Sequence, residues 1–184
     1  MEKIIVTVLG KDRPGIIALI SGHLYNLDCN LENVNQMILQ NEFAGFFIVD
    51  LPENLNMEAV EKELSAKANG QGLNVYVNRL DTDDATDEPI TGETFFITTI
   101  GPDQKGLVAR FSGIMARFNA NITNLKAVFK GGDDPMANIM SYQIDIGPDI
   151  DKAGLFEALK AKGRELNLDV RIQHKNIFNV TNKI

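Results

Sequence analysis

The sequence is poor in the residues that most protein chemistry needs. It has one cysteine, Cys29, so a disulfide within the chain and a cysteine-rich zinc site are both excluded. It has two histidines, His23 and His174, and neither belongs to a metal-spaced cluster. Lys and Arg number 18 against 25 Asp and Glu, a net charge of −7. That balance makes a direct nucleic-acid-binding repressor, which usually needs a basic face, the alternative and not the leading reading. It is carried by Lys160, Lys162, Arg164, Arg171, Lys175 and Lys183, which Glu157, Glu165 and Asp169 dilute. No apolar run is long enough to span a bilayer, and the first residues pass straight into a short alternation without signal-peptide anatomy. The expectation is a cytoplasmic protein with no membrane partner. The stretch from Gly10 to Gly15 lacks the glycine pattern of a P-loop or dinucleotide fingerprint. Ser21 and Ser112 sit in helical stripes without an evident base and orienting group. No catalytic residue, metal or cofactor is expected, and the chain does not read as an enzyme.

What the chain does have, it has twice. Gly10-Lys11-Asp12-Arg13-Pro14-Gly15-Ile16 is matched by Gly101-Pro102-Asp103-Gln104-Lys105-Gly106-Leu107. Each stretch follows a β-like run and opens a helical pattern. The same offset of 91 positions carries Thr7, Ala18, Ser21, Gly22, Asn30 and Asn33 onto Thr98, Ala109, Ser112, Gly113, Asn121 and Asn124. A register that holds without a gap from the first strand into the second points to internal duplication.

The periodicities predict the same element order in both halves. Residues 4–9 read as a strand, and Ile16, Ile20, Leu24 and Leu27 as a helical stripe with Pro14 in its first turn. Residues 31–39 and 43–51 form a hairpin pair. Met57, Val60 and Leu64 mark a helix that Gly70-Gln71-Gly72 stops, and residues 73–80 are the last strand. In the second half, residues 95–100, 124–130, 138–146 and 169–172 are strands. Leu107, Phe111, Met115 and Phe118 mark one helix; Leu155, Phe156, Leu159 and Leu166 mark the other. Strand, helix, strand, strand, helix, strand is the split βαβ order. The predicted class is therefore α+β: two ferredoxin-like βαββαβ domains, each an antiparallel sheet with its helices on one face. The expected boundaries are 1–80 and 94–184, joined by an acidic linker at 81–93 that has almost nothing to bury.

The repeated turn puts a helix N-terminus, with its unpartnered N–H groups, beside a carboxylate. A free amino acid suits such a place. Its carboxylate would meet the amides near Gly15 and Ile16, or Gly106 and Leu107, and its ammonium would meet Asp12 or Asp103. Asn30 and Asn121 lie where the first helix of each repeat returns to the sheet, and an amide there can donate and accept. A plainer reading stands beside this one, in which the chain is a structural pairing module with no ligand. Asp12 and Asp103 would then cap their helices, the asparagines would satisfy turn backbone, and Gly22 and Gly113 would let a helix pack closely. Cys29, matched by Ala120, reads as a small residue in a confined place. The glycine–aspartate loop at 131–136 lacks the spacing of an EF-hand.

The Asp12-Arg13-Pro14-Gly15 turn between strand and helix, with Asn30 opening the next segment, resembles the ACT domain. Gly101 to Leu107 with Ala120-Asn121-Ile122 resembles it again. A stand-alone pair of such domains is similar to the glycine cleavage system transcriptional repressor group. The resemblance implies a regulatory protein of amino-acid metabolism acting through a protein partner, small-molecule binding at the strand–helix turns, and homo-oligomers built by side-by-side sheets. The ligand positions it implies are Gly10, Asp12 and Asn30, and Gly101, Asp103 and Asn121; with the turn residues Arg13, Gly15, Ile16, Gly106 and Leu107 they complete the candidate site. Gln104 and Lys105 stand where the first copy has Arg13 and Pro14, a departure that sets the second turn apart.

Overall fold

The computed structural model describes residues 2–80, 92–129 and 138–176. They form β1 (Lys3–Lys11), α1 (Ile16–Asn26), β2 (Asn30–Leu39), β3 (Glu42–Asp50), α2 (Met57–Asn69) and β4 (Leu73–Arg79). The order then repeats as β5 (Glu93–Gly101), α3 (Leu107–Arg117), β6 (Asn121–Phe129), β7 (Asn138–Ile146), α4 (Lys152–Glu165) and β8 (Asp169–His174). The chain divides into two compact units, Met1–Asp87 and Glu88–Ile184. Of the acidic segment expected as a linker, only Gly92 and Glu93 lie within the described residues, and Glu93 already opens β5. The 131–136 loop lies outside them, as does the tail beyond residue 176.

Each unit is one four-stranded antiparallel sheet, ordered β2-β3-β1-β4 in the first and β6-β7-β5-β8 in the second. Alternation decides the faces. Ile4, Val6 and Val8 of β1 and Phe43, Phe47 and Val49 of β3 turn inward, where Ile16, Ile20 and Leu24 of α1 and Val60, Leu64 and Ala68 of α2 close over them. Ile97, Tyr142 and Ile144 meet Phe111, Met115, Leu155 and Leu159 in the same way. These are the two ferredoxin-like folds that the periodicities predict.

The duplication reaches the backbone. A register shift interrupts β2 between Leu31 and Asn33, and β6 between Ile122 and Asn124. Asp28 and Asn119 both take a positive φ just after the first helix of their repeat, at 57° and 54°. Gly10 and Gly101 are both forced by close approach. A Cβ on Gly10 would lie 2.7 Å from the Gly72 carbonyl oxygen, and one on Gly101 would lie 3.0 Å from that of Asn167.

Several expectations are corrected. Helix α1 begins at Ile16 behind an N-cap at Gly15, so Pro14 precedes the helix instead of entering its first turn. Leu27 and Phe118 are C-cap residues that pack against the core margin, beyond the last helical turn. Strand β6 starts at Asn121, three residues before the alternation suggested, because the strand continues through its bulge. Gly22 and Gly113 face open space: a Cβ at either would meet nothing within 4 Å, so close helix packing does not explain them.

Candidate functional site

The strand–helix turn of each repeat is built on one left-handed glycine. Gly15 has φ 93° and Gly106 φ 81°, a backbone region that costs other residues about 1–2 kcal/mol. This geometry swings the chain from strand into helix in a few residues. It also makes the glycine the N-cap, with no side chain capping either helix. The reading of Asp12 and Asp103 as capping residues is therefore overturned. Among the described residues no hydrogen bond or ion pair engages either carboxylate. The backbone amide of Asp12 donates to the Asn41 carbonyl at 2.8 Å, which ties the turn to the β2–β3 hairpin.

In the first unit the turn opens onto a hollow of about 610 Å³. Its lining brings together Asp12, Arg13, Gly15 and Ile16, as the sequence suggests, with Pro14, Ile17 and Ala18 beside them. The sheet adds Gln36 and Phe43, which sequence reasoning missed. Gln36 stands opposite Gly45 in the β2–β3 register, on the face that carries the helices. No sequence motif marks it, because it is one polar residue in an exposed edge strand. The side chain of Arg13 donates to the Gln71 amide oxygen, across the link between α2 and β4.

Gly10 and Asn30 do not line this hollow. Gly10 is occupied by its contact with β4. Asn30 lines a second hollow of about 550 Å³ at the other end of α1, with Ser21, Gly22, Tyr25 and Cys29. Ala18 borders both, so the two hollows adjoin along the helix. The Asn30 amide donates to Asp50 at 3.3 Å, and the other Asp50 oxygen lies 3.9 Å from the Lys3 ammonium. The hydrogen bond to Glu32 raises the Lys3 pKa. Burial, with the nearby Asp28 charge, pushes the Cys29 thiol up, the opposite of what a nucleophile needs.

The second turn opens onto a hollow of about 620 Å³ lined by Asp103, Gln104, Gly106, Leu107, Val108 and Ala109. Gly101 and Asn121 lie outside it. Asn121 pairs in register with Asp145, which accepts the Thr94 hydroxyl at 2.7 Å. The Gln104 amide donates to the Leu166 carbonyl at 2.7 Å, so position 104, like Arg13, holds the turn to the end of the second helix. Among the described residues no group of three or more His, Cys, Asp or Glu side chains is placed to hold a metal, and no helix is long and apolar enough to cross a membrane.

Comparison with known proteins matches both repeats to one family. The ACT domain profile covers residues 2–78 and 93–173. A UPF0237 protein of Methanosarcina acetivorans is 30% identical over 95 residues, 52% of this chain and the whole of that protein. The glycine cleavage system transcriptional repressor of Escherichia coli is 27% identical over 167 residues, 89% of this chain and 85% of the repressor. Two solved structures share the fold. A Galdieria sulphuraria protein described as unknown has TM-score 0.75 at 20% identity, covering 94% of this chain and 98% of its own. A putative glycine cleavage system transcriptional repressor has TM-score 0.69 at 18% identity, covering 94% and 96%.

Proposed function

This chain belongs to the ACT domain family in both of its repeats, and we propose that it is a non-catalytic regulator of amino-acid metabolism, similar in role to the glycine cleavage repressor, that binds a free amino acid and acts through a protein partner. The observation that carries this reading is the first turn. A free carboxylate on Asp12, a guanidinium on Arg13 and the unpaired amides at the start of α1 all border one open hollow. A zwitterion has a complement for each of its charges there. Its carboxylate meets Arg13 and the helix amides, and its ammonium meets Asp12. The volume suits a small ligand. The 27% identity to the E. coli repressor over 167 residues supports the regulatory role.

Binding can regulate only if it favours one arrangement of the protein over another. Titration calorimetry of the full chain against a panel of free amino acids tests the reading. Heat and a raised melting temperature for at least one are expected; their absence for all would reject it.

Direct nucleic-acid binding is less well supported. Three of the basic residues that gather toward the C-terminus are paired within the fold. Lys162 pairs with Glu165 at 2.5 Å, Arg164 with Glu157 at 2.6 Å and Arg171 with Asp169 at 2.8 Å. Glu165 and Glu157 are both held below the usual carboxylate range, foremost by these hydrogen bonds. Purified protein is expected to give no salt-dependent gel shift. Oligomers, in this reading, form at sheet edges. Among the described residues strand β2 has one unpaired edge, and Met37, Ile38 and Leu39 are 56%, 50% and 67% exposed there.

A further inference from the structure

Taking the strand–helix turns as amino-acid sites, as proposed above, we infer that the chain holds one such site and not two, and that Gln36 selects ligands whose side chains carry a neutral hydrogen-bonding group. The two hollows have similar volumes but different walls. In the first, the turn faces the sheet across Gln36 and Phe43. In the second, the lining among the described residues comes from the turn and α3.

The register explains the loss. Gln36 pairs with Gly45 in the first unit; Ala127 pairs with Met140 in the second. Phe43 pairs with Gly10, and Asn138 with Gly101. In the first unit, the absence of a side chain at Gly45 lets the Phe43 ring lie across that position, since a Cβ there would come within 2.7 Å of it. The residue is 3% exposed and gives the hollow an apolar wall, and Gln36 lines the same hollow. In the second unit Met140 fills the corresponding position. It is 1% exposed and accepts the buried Tyr142 hydroxyl at 3.4 Å, so it is committed to the core. Ala127 brings no polar atom from its side chain.

The charges also differ. The first hollow is lined by one acid and one base, the balance a zwitterion requires. Among the described residues the second is lined by Asp103 and by no cation. Arg110, whose Nε lies 3.9 Å from where a Cβ on Gly106 would be, instead sits 3.8 Å from Glu165. Gln36, a neutral donor and acceptor in the same lining, fits a hydroxyl or carboxamide on the ligand. It penalises an apolar side chain, which would cover the amide without pairing it.

Titration calorimetry of the full chain with L-serine, L-threonine, L-asparagine and L-glutamine, against glycine, L-alanine and L-valine, tests both parts. One equivalent per chain is expected, with hydroxyl or amide ligands ahead. Affinity should fall at least tenfold in Asp12→Asn and stay within twofold in Asp103→Asn. Gln36→Ala, an exposed substitution checked by circular dichroism, should shrink the preference over alanine about tenfold. Two equivalents, or loss of binding in Asp103→Asn, would overturn the single site while leaving amino-acid sensing intact. A preference for apolar ligands, or one unchanged in Gln36→Ala, would overturn the role of Gln36. No heat with any amino acid would overturn the sensing reading itself, and this inference with it.

Discussion

Gly10 and Tyr142 illustrate how much rests on single residues. A Cβ on Gly10 would press on both the Gly72 carbonyl and Leu73 at 2.7 Å, and the former is backbone that cannot step aside. Gly10→Ala is expected to destabilise the first unit by about 1–3 kcal/mol in urea unfolding, the usual scale of overpacking. Tyr142 is wholly buried, and burial pushes its pKa from 10 up to about 12. A raised folded-state pKa favours the protonated, neutral phenol. Its contribution is therefore complete below pH 10 and is lost as pH climbs from 10 towards 12, on the order of 2–3 kcal/mol in all. Alkaline melts should show this loss in the second unit, and Tyr142→Phe should remove it. Neither effect was legible in the sequence. Gly10 reads as a turn glycine until β4 is seen beside it, and the burial of Tyr142 depends on α3 and α4 closing over the sheet.

Among the elements, the helix starts separate two roles that look alike in sequence. Asn56 caps α2, accepting the Ala59 amide at 2.9 Å, and Asp151 caps α4, accepting the Gly154 amide at 2.9 Å. Asn56→Ala and Asp151→Ala should each cost about 1 kcal/mol of stability. Asp12→Ala, beside a helix capped by Gly15, should cost almost nothing while abolishing the calorimetric signal for amino acids. Equal destabilisation by all three would return Asp12 to a structural role. The strands were well announced: the alternation over β7 matches the observed Asn138–Ile146. The lining of the candidate site is legible only in part. Asp12, Arg13, Gly15 and Ile16 share a short stretch of chain and were found together. Gln36 and Phe43 reach the same hollow through register, which no local pattern encodes.

For the whole molecule, duplication has yielded two cores, and among the described residues each draws its buried side chains from its own repeat. Leu64→Ala and Leu159→Ala each empty a fully buried site, and each should cost about 2–5 kcal/mol. Amide exchange should report the loss within the first unit for Leu64→Ala and within the second for Leu159→Ala. Exchange accelerated equally everywhere would mean that the units unfold as one. The tandem organisation was plain from the 91-residue offset. The divergence between the copies was not, because it lies in what Gly45 and Met140 leave open or fill.

The backbone bond from Asp12 to Asn41 has a mechanical meaning. The segment that would grip a metabolite is fastened to the tip of the ribbon whose outer strand, β2, offers an edge, unpaired among the described residues, bearing Met37, Ile38 and Leu39. A small displacement at the grip therefore has a covalent lever arm, the hairpin, along which to reach that edge, and no spring-loaded loop or travelling helix is required.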